Sequence, residues 1–523
     1  MRDLIAALSL SNLCFIASWR AMLYPPFNGY LIHEQPDHVA FAALMLDVLL
    51  LAALMWTPIP FIRRWKDGRT TSFARWTFLA VTLIALNGVR IQFHALSVPG
   101  LIEVVNKKVL SLLLVMVFGA SVFVLVRWSN RVINAACMVI AVLTPFVFVT
   151  FSQAMWVCLK DYATVAPAES RPLAVRKHAE RPATRVVWIV FDELDYRTTF
   201  ATRPAAIELP ELDRLQREAI VATDAYPPAE QTLLSMPALI TGKYVSAAQT
   251  VGPDELMITF AGTSQPIRWS MLPNIFSQIR ASGGGTAVIG WYHPYCRVIG
   301  DDLTRCFSQA TSTEVDWRNL SISGAMLVHT QSLISIVPLA QHVPYIYKKR
   351  HAQRYLRLHE QATEAVADTN LSLVMVHYSV PHHPYIYDRR ADDFTFGPDG
   401  NYLDNLELVD RTLGEIRRAM ELASVWDDTV VVVSADHAWR VYNWSRQSLW
   451  TKEEEAVTKS EADKRVPFML KLKRQRESTT YDSAFNTVLS HDLLLSILHG
   501  EVFAPSDVTA WLDHHRSTGE SAY

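Results

Sequence analysis

Charge is what this 523-residue chain has least of. Only 19% of its residues are Asp, Glu, Lys or Arg, half are hydrophobic, and the formal net charge is −2. Soluble domains usually carry about 25% charged residues. So apolar a chain is not disordered, and five cysteines are too few for a disulfide-stapled scaffold. The deficit is unevenly spread. Residues 1–158 hold 12 Lys/Arg and 6 Asp/Glu, about 11%, whereas residues 159–523 hold 37 and 45, about 22%. The small total therefore combines +6 with −8, which excludes a single soluble domain. The acidic balance after 158 gives no electrostatic footprint for nucleic acid.

The charge-poor third contains five apolar stretches long enough to cross about 30 Å of hydrocarbon. They lie near 4–23, 38–60, 76–97, 107–127 and 132–156. The first carries Arg20 and has the alternative of a signal peptide; the four spans behind it favour a retained helix. Arg63, Arg64, Lys66, Arg69 and Arg75 follow the second stretch, and Arg127 and Arg131 follow the fourth. No Lys or Arg stands between the first two. Positive loops stay cytoplasmic, so the chain starts inside and everything after about 158 is extracytoplasmic. This predicts a multi-pass protein of a bacterial-type inner (cell) membrane with a periplasmic domain. Asp47, mid-span, is expected to pair with Arg20 or Arg90 and fix helix packing. In an oxidising compartment Cys296 and Cys306 are expected to form a local disulfide. A cysteine metal site would need a second pair, which the domain lacks.

Residues 159–184 are polar and Pro/Ala-rich and read as a linker. From 185 to 523, short β-branched runs alternate with helical patterns. The runs are 185–191, 286–292, 371–378, 429–437 and 465–472; the helical patterns are 209–220, 272–282, 351–367, 401–422 and 487–499. Continuous apolar strands of this kind are buried on both faces, which predicts an α/β domain with a mostly parallel central sheet. Ligand sites in such sheets lie beyond the carboxyl ends of the strands. There the sequence places Asp192-Glu193, His377 and Asp436-His437, which are Zn²⁺ or Mn²⁺ ligand types. Thr232 follows a Pro-rich turn and opens an apolar helix. A hydroxyl at a helix N-terminus beside a metal suits attack on a phosphoryl or sulfuryl group.

With these residues in view, the chain resembles the alkaline-phosphatase/sulfatase superfamily, and within it the membrane-anchored phosphoethanolamine and phosphoglycerol transferases. Thr232-x-x-Ser235-x-Pro237 is similar to the motif whose Thr carries the phosphoryl group in those transferases. Thr241-Gly242 stands nine and ten positions on, as in sulfatases. Leu234 and Met236 replace the Pro and Arg of the Cys/Ser-x-Pro-x-Arg sulfatase motif, which argues against formylglycine chemistry. The resemblance implies a metal held by Asp192, with Glu193 as rival, and by Thr232, Asp436 and His437. It implies one metal, Zn²⁺ or alternatively Mn²⁺. His377-x4-His382-x-Pro384 resembles the transferases' substrate histidines, so His382 or His377 is the candidate acid/base, with His383 and Ser235 at the substrate. Two departures stand out. Ala438 replaces the family's Gly after Asp-His, and a loop with Trp439, Arg440, Trp444 and Trp450 follows; it reads as a hydrophobic lid over the core, with contact to a lipid or sugar as the alternative. No histidine lies between His437 and His491, which argues against a second metal.

The expected function is transfer of a phospho-head group from a phospholipid donor to an envelope glycan or lipid acceptor through phosphorylated Thr232. The rivals are a membrane-anchored phosphodiesterase or sulfatase, and a catalytically inactive binding module on the same fold.

Overall fold

The computed structural model describes residues 2–23, 30, 37–57, 77, 80–90, 138–159, 184–252, 254–309, 320–336, 345–397, 399–445, 450–458 and 463–518. The chain forms two compact units. One comprises Met1–Pro26, Glu34–Thr164 and Val315–His342; the other comprises Phe27–His33, Val165–Glu314 and Val343–Tyr523. Residues 27–33 group with the α/β unit, and 315–342 group with the N-terminal helices.

Among the described residues of the first unit, His38–Trp56 and Met138–Trp156 are long and apolar enough to cross a membrane. The pair Asp3–Cys14 and Ile16–Leu23, bent by 60°, makes up to three. The stretch expected at 76–97 is described as a shorter apolar helix, Ala80–Arg90; that at 107–127 lies outside the described residues, as do 160–183. On the His38–Trp56 helix Leu49, Leu50 and Leu54 are exposed, a surface suited to hydrocarbon rather than water. The Ile322–Ile336 helix joins this unit because it carries no charge and buries Ala325 in a cluster with Phe41 and Leu44. It also brings Asp47 a partner: His329 Nδ1 lies 3.0 Å from Asp47 Oδ2, both side chains buried. This partner replaces the Arg20 or Arg90 expected from the sequence. A buried carboxylate is paired by whatever the packing delivers, here a residue 282 positions away.

The second unit is built on an eight-stranded sheet. Its strands are β1 (Arg185–Asp192), β2 (Ile220–Ala222), β3 (Gly285–Trp291), β4 (Arg305–Gln309), β5 (Leu371–Pro381), β6 (Thr429–Ala435), β7 (Phe468–Lys471) and β8 (Thr479–Tyr481). Their order is β8-β2-β7-β6-β1-β5-β3-β4. β7 runs antiparallel to β6 and β2, and the other pairs are parallel. An apolar run shows that a strand is covered on both faces but not which way it points, so the run at 465–472 left the direction of β7 undetermined. β2, β4 and β8 are too short for a periodic signal. The central strand β1 is buried from Val186 to Asp192. Its alternate residues feed two cores, Val187, Ile189 and Phe191 on one face and Val186, Trp188 and Val190 on the other. Helices Tyr345–Ala367 and Tyr402–Leu422 supply Leu358 and Leu413 to the first core; Thr232–Thr241, Ile275–Ala281 and Ser490–Leu498 supply Leu239, Phe276 and Leu494 to the second.

Cys296 and Cys306 are disulfide-bonded, tying the short turn after β3 to β4. Closing so short a loop removes unfolded-state freedom worth about 2–3 kcal/mol. Replacing both cysteines by serine should therefore lower the unfolding free energy of the detergent-solubilised protein by about that amount, read from denaturant midpoints. An unchanged midpoint would show that β4 is held by packing alone.

Candidate active site and metal centre

The sheet delivers its chemistry at one edge. β1 ends at Asp192, β6 ends one residue before Asp436, and β5 carries His377 opposite Val190 of β1. One ligand atom from each of Asp192, His377 and Asp436 falls within a set no wider than 4.8 Å, and all three residues are fully buried. His437 Nε2 lies 3.5 Å from Asp192 Oδ1 and 3.4 Å from Asp436 Oδ2. Thr232 Oγ1 donates to Asp192 Oδ2 at 3.4 Å and lies 3.3 Å from His437 Nε2. Thr232 is the first residue of the Thr232–Thr241 helix, behind an extended Gln231, so its hydroxyl sits at the positive end of the helix dipole. Gly242 closes that helix at φ 71°, and a Cβ there would run into the His491 ring at 2.6 Å.

Each of these side chains is aimed by a second contact. His377 Nδ1 faces the Tyr295 hydroxyl at 2.9 Å, leaving Nε2 toward the carboxylates. Gly290 makes room for this, since a Cβ there would meet the Tyr295 ring at 2.6 Å. His437 Nδ1 donates to Ala438 O at 3.0 Å, which likewise frees Nε2. Asp436 Oδ1 accepts the amides of His437 at 2.8 Å and Glu193 at 3.3 Å, and Ser235 Oγ donates to Asp436 O. Ser235 therefore braces the Asp436 backbone.

Glu193 points elsewhere. Its backbone is left-handed, with φ 67°, a costly conformation for a side chain with a Cβ. The turn sends consecutive carboxylates to different sides. Asp192 enters the cluster, and Glu193 binds Arg440 Nε at 2.7 Å and Trp444 Nε1 at 2.8 Å. Arg440 Nη2 also donates to His382 Nε2 at 3.1 Å, while His382 Nδ1 donates to His383 O. His383 stacks on Trp444 at 5.0 Å. Trp439 stacks on Tyr402 at 3.8 Å and lies 5.4 Å from Trp450. Of these tryptophans Trp444 touches the Glu193 carboxylate, and Trp439 packs on Tyr402, whose hydroxyl donates to Glu193 O at 2.7 Å. The structure splits the expected residues into two neighbouring groups, Asp192/Asp436/His377/His437/Thr232 and Glu193/Arg440/His382/His383.

Burial sets the electrostatics. It pushes the Asp192 carboxyl well above the usual range, and the neighbouring Asp436 and Glu193 charges add to the shift. Burial also holds His377 down to about 3 and His293 to about 4, so both rings are neutral near pH 7. Asp192 Oδ1, Asp436 Oδ2 and His377 Nε2 are buried and make no hydrogen bond. Two unrelieved carboxylates cost roughly several kcal/mol each in such a place, and Arg440 is engaged by Glu193. Oxygen and imidazole donors that converge without hydrogens between them fit a divalent cation of the Zn²⁺ or Mn²⁺ type.

His293, Tyr295 and Gly290 escaped the sequence reading. Only the expected Cys296–Cys306 disulfide lies beside this turn in the sequence, and a ring that acts through its neighbour leaves no spacing signal.

The family model described as Sulfatase matches residues 184–499. The chain belongs to the sulfatase family. A structure of a sulfatase from Pseudoalteromonas sp. is 14% identical, with 61% of this chain and 68% of that one covered, at a TM-score of 0.43. The phosphonate monoester hydrolase of Agrobacterium radiobacter is 12% identical, with 60% and 73% covered, at 0.38. A protein in the alkaline phosphatase superfamily from Vibrio parahaemolyticus is 14% identical, with 62% and 67% covered, at 0.38. No curated protein matches. In this sulfatase-family domain the strand-end triad is a potential metal-binding set.

The two-group arrangement predicts that Asp192→Asn and Asp436→Asn each weaken Zn²⁺ binding at least about tenfold, measured by metal content after dialysis against a chelator. Glu193→Gln should retain the metal. Loss in Glu193→Gln with retention in Asp192→Asn would reverse the assignment.

Proposed function

We propose that this sulfatase-family protein is a metal-dependent envelope phosphotransferase. It moves a phosphoethanolamine or phosphoglycerol group from a membrane phospholipid to a glycan or lipid acceptor. The reading rests on one observation above all: the Thr232 hydroxyl lies at a helix N-terminus within 3.4 Å of Asp192 and 3.3 Å of His437. Leu234 and Met236 in place of the sulfatase motif's Pro and Arg favour Thr chemistry over formylglycine chemistry. Helices long and apolar enough to cross a membrane suit a lipid donor, with the catalytic domain on the extracytoplasmic side of an inner membrane.

Asp192, Asp436, His437, His377 and Thr232 would hold the cation, one Zn²⁺ or alternatively Mn²⁺. Bound there, it would supply Lewis acidity toward phosphoryl oxygens and lower the hydroxyl pKa. Thr232 Oγ1 attacks the donor phosphorus while its proton passes toward Asp192 Oδ2, the oxygen it already faces. The bond from phosphorus to the diacylglycerol oxygen breaks, and that oxygen takes up the proton that Asp192 received. An acceptor hydroxyl then attacks the phosphorus on Thr232 and gives up its proton, which returns by way of Asp192 to Oγ1 as the phosphorus–Oγ1 bond breaks. Of the two candidate acid/bases, His382 has Nε2 held by Arg440 and Nδ1 on His383 O, and His377 has Nδ1 on Tyr295, so the proton is assigned to Asp192 Oδ2, which Thr232 Oγ1 already faces. Helix-terminal amides beside Thr232 offer charge relief to the phosphoryl oxygens.

The family match favours a second reading, in which water is the acceptor and the protein is a hydrolase of phosphate or sulfate esters. One experiment separates them. After incubation of the full chain in detergent with phosphatidylethanolamine or phosphatidylglycerol, intact-mass and peptide spectra should show the head-group phosphate adduct on Thr232. Thr232→Ala should remove it and cut turnover by about a thousandfold or more. No adduct together with steady hydrolysis of a soluble ester would leave the hydrolase.

A further inference from the structure

Behind the nucleophile's helix lies a residue from a distant part of the chain. Tyr30 falls between the Ile16–Leu23 and His38–Trp56 helices, yet the segment Phe27–His33 belongs to the α/β unit. Its side chain is 1% exposed and part of the same apolar core as Met236 and Leu239 of the Thr232–Thr241 helix. The Tyr30 hydroxyl lies 2.9 Å from His293 Nδ1, across 263 residues of sequence. On the other side of the ring, His293 Nε2 lies 3.0 Å from Thr232 O. Arg297 Nη2 donates to Tyr30 O at 2.7 Å, and Trp269 packs edge-on against His293 with centroids 5.1 Å apart.

The direction of these bonds follows from chemistry. A carbonyl oxygen only accepts, so His293 Nε2 carries the hydrogen. A neutral ring then presents a lone pair at Nδ1, and the Tyr30 hydroxyl donates to it. Without that donor only the Thr232 carbonyl favours the Nε2–H form, and the form with its hydrogen on Nδ1, which sets the Nε2 lone pair against that carbonyl, becomes more populated.

We propose that Tyr30 is a positioning residue: it selects the His293 tautomer whose Nε2–H pins the Thr232 backbone, and so aims Thr232 Oγ1 at Asp192 and His437. This rests on Thr232 being the nucleophile. The α/β unit accordingly depends, even for a soluble ester, on a residue that the helical third of the chain contributes.

The test uses the full chain in detergent with a soluble phosphodiester. Tyr30→Phe should lower kcat about tenfold, the scale of one well-placed hydrogen bond, and slow formation of the Thr232 adduct by the same factor. KM, metal content and melting temperature should stay at wild-type values. In a His293→Gln background, where an amide N–H can reach the carbonyl without tautomer choice, adding Tyr30→Phe should cost nothing further. Should Tyr30→Phe melt early, that non-additivity is the deciding measurement. Full kcat in Tyr30→Phe, a rise in KM alone, or additive losses would overturn the positioning role while Thr232→Ala still abolishes turnover. Retained turnover in Thr232→Ala would instead overturn the nucleophile assignment and this proposal with it.

Discussion

Two carboxylates brought together in a place without water set the terms for this domain. Asp192 and Asp436 are both fully buried, and each keeps one oxygen without a hydrogen bond. Charge repulsion and desolvation act in the same direction and would expel such a pair from an ordinary core. They persist because neighbouring strands end at the same edge and because His377 and His437 bring ring nitrogens to the same point. A divalent cation would relieve this arrangement, and the remaining contacts of the edge keep the donors aimed.

The same constraint explains the turn at the end of β1. A strand alternates its side chains, and the left-handed backbone at Glu193 adds a twist that sends Asp192 and Glu193 apart. One acidic dipeptide thereby serves two environments. Asp192 joins the carboxylate cluster, while Glu193 neutralises Arg440 and anchors the Trp444 loop. Had both faced the same side, three acids would have competed for one small volume.

Each compact unit also contains a piece whose neighbours in sequence belong to the other. His329 comes from the C-terminal part of the chain and meets Asp47, while Tyr30 comes from the N-terminal part and meets His293. In both cases a buried polar group is satisfied by a partner hundreds of residues away, as the cost of leaving it unsatisfied demands. Such partners are invisible to periodicity, which reports only that a position is buried.

The amino-acid sequence by itself determined the two compositions, the α/β class, the central strands and the strand-end residues Asp192, His377, Asp436 and His437 with Thr232. These are local properties: apolar runs, a turn before a helix, and ligand-type residues where a strand stops. Strand direction at β7, the short strands β2, β4 and β8, the choice of Asp192 over Glu193 for the cluster, and the bracing of Asp436 by Ser235 were left to the tertiary structure. So were Tyr30, His293, Tyr295 and Gly290. Their roles depend on backbone handedness, on which face a side chain leaves, and on contacts across long sequence separations. Those quantities acquire values only once the sheet has closed around its core.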